Sequence, residues 1–231
     1  GTYGYLPSGS VSNEKLSCER RLSWFVHLIP FVDQLRIVVD PSQPWDAEEN
    51  RRPRWRDGGD IGQETEKELG EYKLFCCPAN PNRGGPDSAS FTHYVGIAGV
   101  GPGAAEWGPH YPGIGVFGCE RRTRFEDITD GLATTLMVSE TARANGPWTA
   151  GGPATVRGLD PTGGPYLGAA GQFSSAHRYS PNVFVTRLPV ATNVLFADCS
   201  VRSFSEAVSP QVFEALATIA GGEDVAAPED H

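Results

Sequence analysis

Long hydrophobic runs, zinc-type cysteine pairs, a phosphate-binding loop and a coherent basic face are all missing from this 231-residue chain. No apolar run approaches the roughly 20 residues that cross a bilayer, and no signal peptide is visible. Nothing resembles a phosphate loop, because the Gly-rich stretches are not followed by a Lys at a strong helix start. The 28 acidic and 19 basic residues leave a net charge of -9, which repels nucleic acid unless cations cluster on one face. One cluster, Arg51 to Arg56, has acids close on both sides and reads as a solvated loop, so a nucleic-acid function is excluded. The five cysteines, Cys18, Cys76, Cys77, Cys119 and Cys199, are too few and scattered for a disulfide framework. They also lack the two close pairs of a structural zinc site, and vicinal cysteines such as Cys76 and Cys77 rarely both face one metal. Their odd number leaves at least one thiol unpaired in a monomer. Spacing does not fix the pairing, and Cys77 with Cys119 stands as a trial bridge.

What is present suits a globular core, with a hydrophobic fraction of 39%. After an irregular Gly/Pro/Ser-rich opening, Leu22 to Leu35 is the most apolar stretch of the first third. Pro30 breaks it into a helical turn and a second helix expected from Phe31 to Val39. From Asp40 to Gly70, Pro, Trp, Gly and charge alternate as in a long surface loop. Lys73 to Cys77 reads as a short strand, Phe91 to Gly99 as a strand, and Val116 to Phe125 as a further strand region. Arg143 to Gly171 returns to Gly and Pro.

Two segments read as strand-turn units. In Thr123 to Glu140, Asp130-Gly131 is the turn and Thr134 to Ser139 is β-prone beyond it; in Asn193 to Ser205, apolar arms flank Ala-Asp-Cys-Ser. The last element is a helix, with Ser209 as cap, Pro210 at its first position, an apolar face of Val212, Phe213, Leu216 and Ile219, and Gly221-Gly222 as its stop. The expected fold is α+β: an antiparallel β-sheet with long loop insertions and a short C-terminal helix. It forms one domain over residues 1–223, followed by a flexible acidic tail over 224–231.

The segments LSWFVHLIPFVDQL, PWDAEEN, LFCCPANP, FTHYVGIAG, GVFG, TRFEDITDGLATTLMVSE, FSSAHRYS, NVLFADCSVRSFSEAVSP and ALATIAGGE follow in the order seen in the DUF1559 family. The chain resembles that bacterial family, expanded in planctomycetes, from Tyr3 to Glu223. Residues that carry the likeness include Trp24, Cys77, Pro78, Tyr94, Asp130, Gly131, Glu140, His177 and Asp198. The resemblance implies a pilin-like antiparallel sheet: the headgroup of a type IV pilin-like or type II secretion pseudopilin-like protein. It implies a precursor anchored in the inner membrane by an N-terminal helix absent from this chain, with the headgroup outside the cytoplasm. The implied partners are other pilin-like subunits or secretion-system proteins. The family also carries a His, nine residues, then Asp-Gly. Here twenty residues separate His177 from Asp198, an insertion of roughly Arg178 to Thr192, and Cys199 replaces the Gly. Cys199 cannot take a positive-φ turn as cheaply as Gly, so either the turn is of another type or it is strained by about 1 kcal/mol or more.

The chemistry readings are sparse. A hydrolase set of His177, Ser174, Ser175 and Asp198 lacks a Gly-x-Ser-x-Gly elbow, and a Cys77 nucleophile is no better supported. The resemblance implies a candidate calcium site from Asp127, Asp130, Glu140 and Asp198, since oxygen donors suit that ion. The plainer reading makes Asp130 and Asp198 turn residues accepting backbone hydrogen bonds, with no cofactor. The five tryptophans, Trp24, Trp45, Trp55, Trp107 and Trp148, read as anchors for loops in preference to a ligand groove. The expectation is a non-enzymatic structural subunit. Its alternative is a solute- or glycan-binding module formed by the loops Pro41 to Gly70 and Gly101 to Gly115.

Overall fold

Strands form where β-branched and aromatic residues gather beside a partner with free backbone groups. The computed structural model describes residues 4–32, 37–51, 53–55, 73–84, 89–175, 177 and 191–222. In chain order the elements are α1 (Phe25–Leu28), β1 (Ile37–Val38), α2 (Glu48–Arg51), β2 (Arg54–Trp55), β3 (Tyr94–Val100), β4 (Leu136–Glu140), β5 (Val156–Leu159), β6 (Thr192–Phe196), β7 (Val201–Phe204) and α3 (Pro210–Leu216), with short 3-10 turns between them. β1 and β2 make a small antiparallel pair, and the other five strands form a sheet ordered β5-β3-β4-β6-β7.

The architecture is α+β, but the sheet is mixed. β3, β4, β6 and β7 pair antiparallel, whereas β5 runs parallel to β3. β5 comes from the Gly/Pro-rich stretch that the sequence pattern treats as irregular. It exists because β3 offers it a free edge: Gly96 N–H donates to Thr155 O at 2.8 Å and Gly101 N–H to Leu159 O at 2.7 Å. Gly158 is required there, because a Cβ on it would lie 1.9 Å from Gly101 O.

Other expectations shift for local reasons. Lys73–Phe75 is a 3-10 turn, not a strand. Phe75, Cys76 and Cys77 are all buried, at 2%, 3% and 1% exposure, which the alternation of a half-buried strand does not allow. Val116 to Phe125 holds no strand; its start lies along β3 through Phe117 N–H to Ile97 O at 2.9 Å. It leads into a 3-10 turn, Phe125–Asp127, closed by the Asp127 carboxylate accepting the Arg124 N–H at 2.8 Å. The first arm of the Thr123 to Glu140 unit is thus a turn, and only its second arm, β4, is a strand. The described residues of the helix expected from Phe31 to Val39 are not helical in that way: Pro30 sits in a 3-10 turn, Ile29–Phe31, and the β-branched pair Ile37 and Val38 is β1. Residues 33–36, most of the insertion after His177 (178–190) and the acidic tail lie outside the described residues.

The hairpin and the last helix form as the pattern predicts. β6 and β7 pair from Thr192↔Phe204 to Leu195↔Val201. Ser209 caps α3 by accepting the Val212 N–H at 3.2 Å, with Pro210 at the first helical position. The helix stops at Leu216, short of the Gly pair, and Asp130 accepts the following Gly221 and Gly222 N–H groups at 2.7 and 3.0 Å.

Apolar side chains cover both sheet faces. One core gathers Trp24, Phe25, Phe75, Val116, Phe117, Val138, Trp148 and Val156, so the N-terminal segment and aromatic loops lie on that side. The other gathers Val95, Ile97, Leu136, Phe173, Val194, Phe196 and Phe204 with Phe213 and Leu216 of α3. The loop from Asp40 is held by Asn50 of α2, fully buried, whose side chain bonds the backbone of Asp40, Gln43 and Pro44. The disulfide joins Cys18 to Cys119, not Cys77 to Cys119, with Cα atoms 5.9 Å apart. Gly9 N–H to Gly118 O at 2.7 Å and Ser10 N–H to Cys119 O at 3.1 Å bring the N-terminal segment to that position. Cys76, Cys77 and Cys199 are free.

Candidate functional site

Three chelating side chains from distant parts of the chain meet at one end of β4. Glu140, the last residue of β4, pairs across the sheet with Tyr94 at the start of β3. Its side chain is only 2% exposed, and His177 Nε2 lies 3.0 Å from Glu140 Oε1. Cys77 Sγ lies 3.5 Å from the same His177 nitrogen, although 100 residues separate the two. One ligand atom from each of Cys77, Glu140 and His177 falls within 4.8 Å of the others, the single such His/Cys/Asp/Glu group among the described residues.

Each member is held from behind. Cys77 N–H donates to His93 Nδ1 at 2.8 Å, which fixes His93 as the tautomer whose Nε2–H donates to Asn82 O at 2.8 Å. Burial lowers the His93 pKa, so this fully buried imidazole serves as a neutral strut. Burial, then hydrogen bonding and charge repulsion from Glu140, push the Cys77 thiol up to about 11, against the opposing influence of the Ala79 and Asn80 amides. Glu140 Oε2 accepts from Asn193 Nδ2 at 3.2 Å, Asn193 N at 3.4 Å and Ser175 Oγ at 3.5 Å. The Ser175 hydroxyl in turn accepts the His177 N–H at 3.1 Å. Tyr94, beside the cluster, is raised to about 12 by burial and then by the Glu140 charge.

Glu140 is the one candidate calcium ligand in this group. Asp127 caps its own 3-10 turn, and Asp130 holds the segment after α3. Asp198 accepts the Ser200 N–H at 2.8 Å within the β6–β7 turn. The four carboxylates form no common ligand group among the described residues. The hydrolase set does not assemble either: Ser175 serves Glu140, and Asp198 is engaged in its own turn. Spacing rules dismiss Cys77 as a ligand, yet the fold supplies its partners. Ser175 and Asn193 carry no sequence signal for their roles, since each is an ordinary polar residue until β6 and the chain after Phe173 meet Glu140.

Two further family-signature residues are structural. Trp24 is buried, stacks on Phe25 with ring centroids 3.9 Å apart and donates to Thr155 O at 2.9 Å. Gly131 takes φ +100°, where only glycine is unstrained. Pro78 is exposed and follows Cys77 in the loop. Among the described residues the tryptophans line no common groove: Trp24 and Trp148 are core, Trp45 pins a loop through its indole N–H to Glu19 O at 2.9 Å, and the Trp107 ring packs tilted against Tyr111 with centroids 4.3 Å apart. The Trp55 side chain lies outside the described residues.

The Asp130 turn and the hairpin turn touch. Ala197 N–H donates to Thr135 O at 2.9 Å and Asp198 N–H to Leu132 O at 3.0 Å. At the hairpin tip Cys199 has φ +69°, so of the two possibilities left by the Gly-to-Cys change the strained turn is the one adopted.

No curated protein and no solved structure matches the chain. The family model described as "Protein of unknown function (DUF1559)" matches residues 1–211. The chain therefore belongs to the DUF1559 family.

Proposed function

We propose that the chain is a non-enzymatic, extracytoplasmic structural subunit: a pilin- or pseudopilin-like headgroup, one domain over residues 1–223, whose precursor is held in the inner membrane by an N-terminal apolar helix. Its partners are other pilin-like subunits or secretion-system proteins. The observation that carries the reading is the Cys18–Cys119 bond, which ties the N-terminal segment to the connection between β3 and β4. Bonds of this kind persist in oxidising compartments, and the family resemblance names the periplasm or cell surface as the place. The edge strand β7 agrees with an assembling surface. Among the described residues it pairs only with β6, and it exposes Val201 at 66%.

The test uses the whole gene product in its native membrane, in a Cys199→Ala background. The expected outcome is a membrane-held, leader-processed protein with Cys18 and Cys119 oxidised, in which Val201→Cys yields a ladder of cross-linked oligomers. A freely diffusing monomer that saturably binds a solute or glycan overturns the reading in favour of the binding module. Recovery of reduced protein from the cytoplasm overturns it outright.

A further inference from the structure

We propose that Cys77, Glu140 and His177 form a binding site for a divalent transition metal of the zinc class, with a fourth coordination position open. The inference goes beyond the headgroup reading and does not depend on it.

The donor set comes first. One sulfur, one imidazole nitrogen and one carboxylate oxygen suit a borderline-soft ion, whereas calcium takes only oxygen. The distances fit as well. Ligand atoms about 2.0–2.3 Å from a tetrahedral ion lie ~3.3–3.8 Å from each other. Here Nε2–Oε1 is 3.0 Å and Sγ–Nε2 is 3.5 Å, each within a few tenths of an ångström of that range, and all three ligand atoms lie within 4.8 Å of one another.

The surroundings look arranged for such an ion. Glu140 presents Oε1 to the cluster while Oε2 is held by Asn193 and Ser175, as an outer shell orients a ligating carboxylate. His93 fixes the Cys77 backbone by accepting its N–H at 2.8 Å. Glu140 is almost fully buried, and its Oε1 lies 3.0 Å from His177 Nε2. A dication neutralises the two charges of a Cys77 thiolate and the Glu140 carboxylate, which burial otherwise makes costly.

Competing roles for the cysteine fit less well. Cys76 does not share the site, because its thiol turns to Phe91 O at 3.1 Å. A nucleophile has to reach substrate as a thiolate. Cys77 is 1% exposed, so its sulfur offers no surface for a substrate to approach. His177, with its side chain 41% exposed, is the member that meets solvent, and so marks the path by which an ion enters.

Binding is balanced by one proton. The Cys77 S–H bond breaks and its proton passes to solvent, while the sulfur, Glu140 Oε1 and an unprotonated His177 Nε2 each form a bond to the ion, the imidazole keeping its proton on Nδ1.

The experiment is a titration of the chelator-treated, disulfide-intact protein with Zn2+ against a chromophoric competitor, and with Co2+ followed by thiolate-to-cobalt absorption. One equivalent of either ion is expected, with the cobalt band absent in Cys77→Ser. Glu140→Gln and His177→Ala should each weaken binding at least about tenfold. Cys199→Ala and excess Ca2+ should change nothing. His177→Ala is a solvent-reaching change that leaves the core intact, so a zinc-induced rise in melting temperature seen in the parent and lost in this variant separates ligation from misfolding. Binding below one equivalent, binding indifferent to His177→Ala, or a cobalt band that survives Cys77→Ser overturns the site.

Discussion

Replacing Cys199 by glycine should stabilise the protein. The β6–β7 connection is a three-residue loop of Ala197, Asp198 and Cys199: Cys199 N–H donates to Phe196 O at 3.0 Å, and Phe196 N–H donates to Ser200 O at 2.9 Å. That pattern is a turn followed by a left-handed residue that forms a bulge, the place where hairpins use glycine. Cys199 occupies it at φ +69°. The left-handed conformation costs an L-residue roughly 1–2 kcal/mol. Glycine removes that clash but adds ~0.5–1 kcal/mol of chain entropy to the unfolded state. The net gain is then about 0.5–1 kcal/mol, or roughly 1–4 °C in melting temperature for a chain of this size. The assay is thermal unfolding without reductant, so that the Cys18–Cys119 bond stays intact. Cys199→Ala keeps the Cβ and loses the thiol, and should be near neutral; Cys199→Asn should fall between Ala and Gly, and Cys199→Val below the parent. If Gly and Ala shift the midpoint equally, the effect belongs to the thiol and the backbone argument is refuted.

Three further predictions concern the rest of the fold. Reducing Cys18–Cys119, or replacing both cysteines by Ser, frees a loop spanning 101 positions and should cost about 3–5 kcal/mol, read from urea unfolding; a loss below 1 kcal/mol contradicts it. Arg121 is 8% exposed, and its guanidinium serves the carbonyls of Trp107, Ala98, Gly115 and Phe117, burial lowering its pKa to about 10. Arg121→Met should lose about 3 kcal/mol or more by orphaning those acceptors, a loss that Lys cannot fully restore from one ammonium. His27 has its pKa lowered from 6.5 by burial first, with Arg122 adding to the shift. Below pH 6.5 the unfolded chain therefore binds a proton that the folded chain resists, and stability falls as pH drops from there toward the folded pKa. His27→Gln should flatten that part of a pH-dependent unfolding curve, and an unchanged slope counts against it.

The hairpin and α3 were legible because their determinants are local. A polar turn between apolar arms specifies β6 and β7, and Ser209-Pro210 with an apolar face specifies α3. Asp130 and Asp198 were likewise legible as turn formers, since an Asp side chain finds backbone N–H groups close by. β5 was not legible, because a four-residue strand containing glycine is specified by the open edge of β3 and not by its own composition. Lys73 to Cys77 misled for the opposite reason. Its Phe75, Cys76 and Cys77 are buried consecutively where the chain turns, an environment that no local pattern encodes.

The residue order alone determined the family and the α+β class and marked Cys199 as the residue that breaks the turn signature, because motif succession, hydrophobic patterning and turn chemistry are properties of neighbouring residues. Tertiary structure alone decided the mixed sheet, the Cys18–Cys119 pairing and the meeting of Cys77, Glu140 and His177. Bond partners and metal ligands are selected by distances across the folded chain, and residues 100 apart in sequence reach 3.5 Å only when strands and loops have packed.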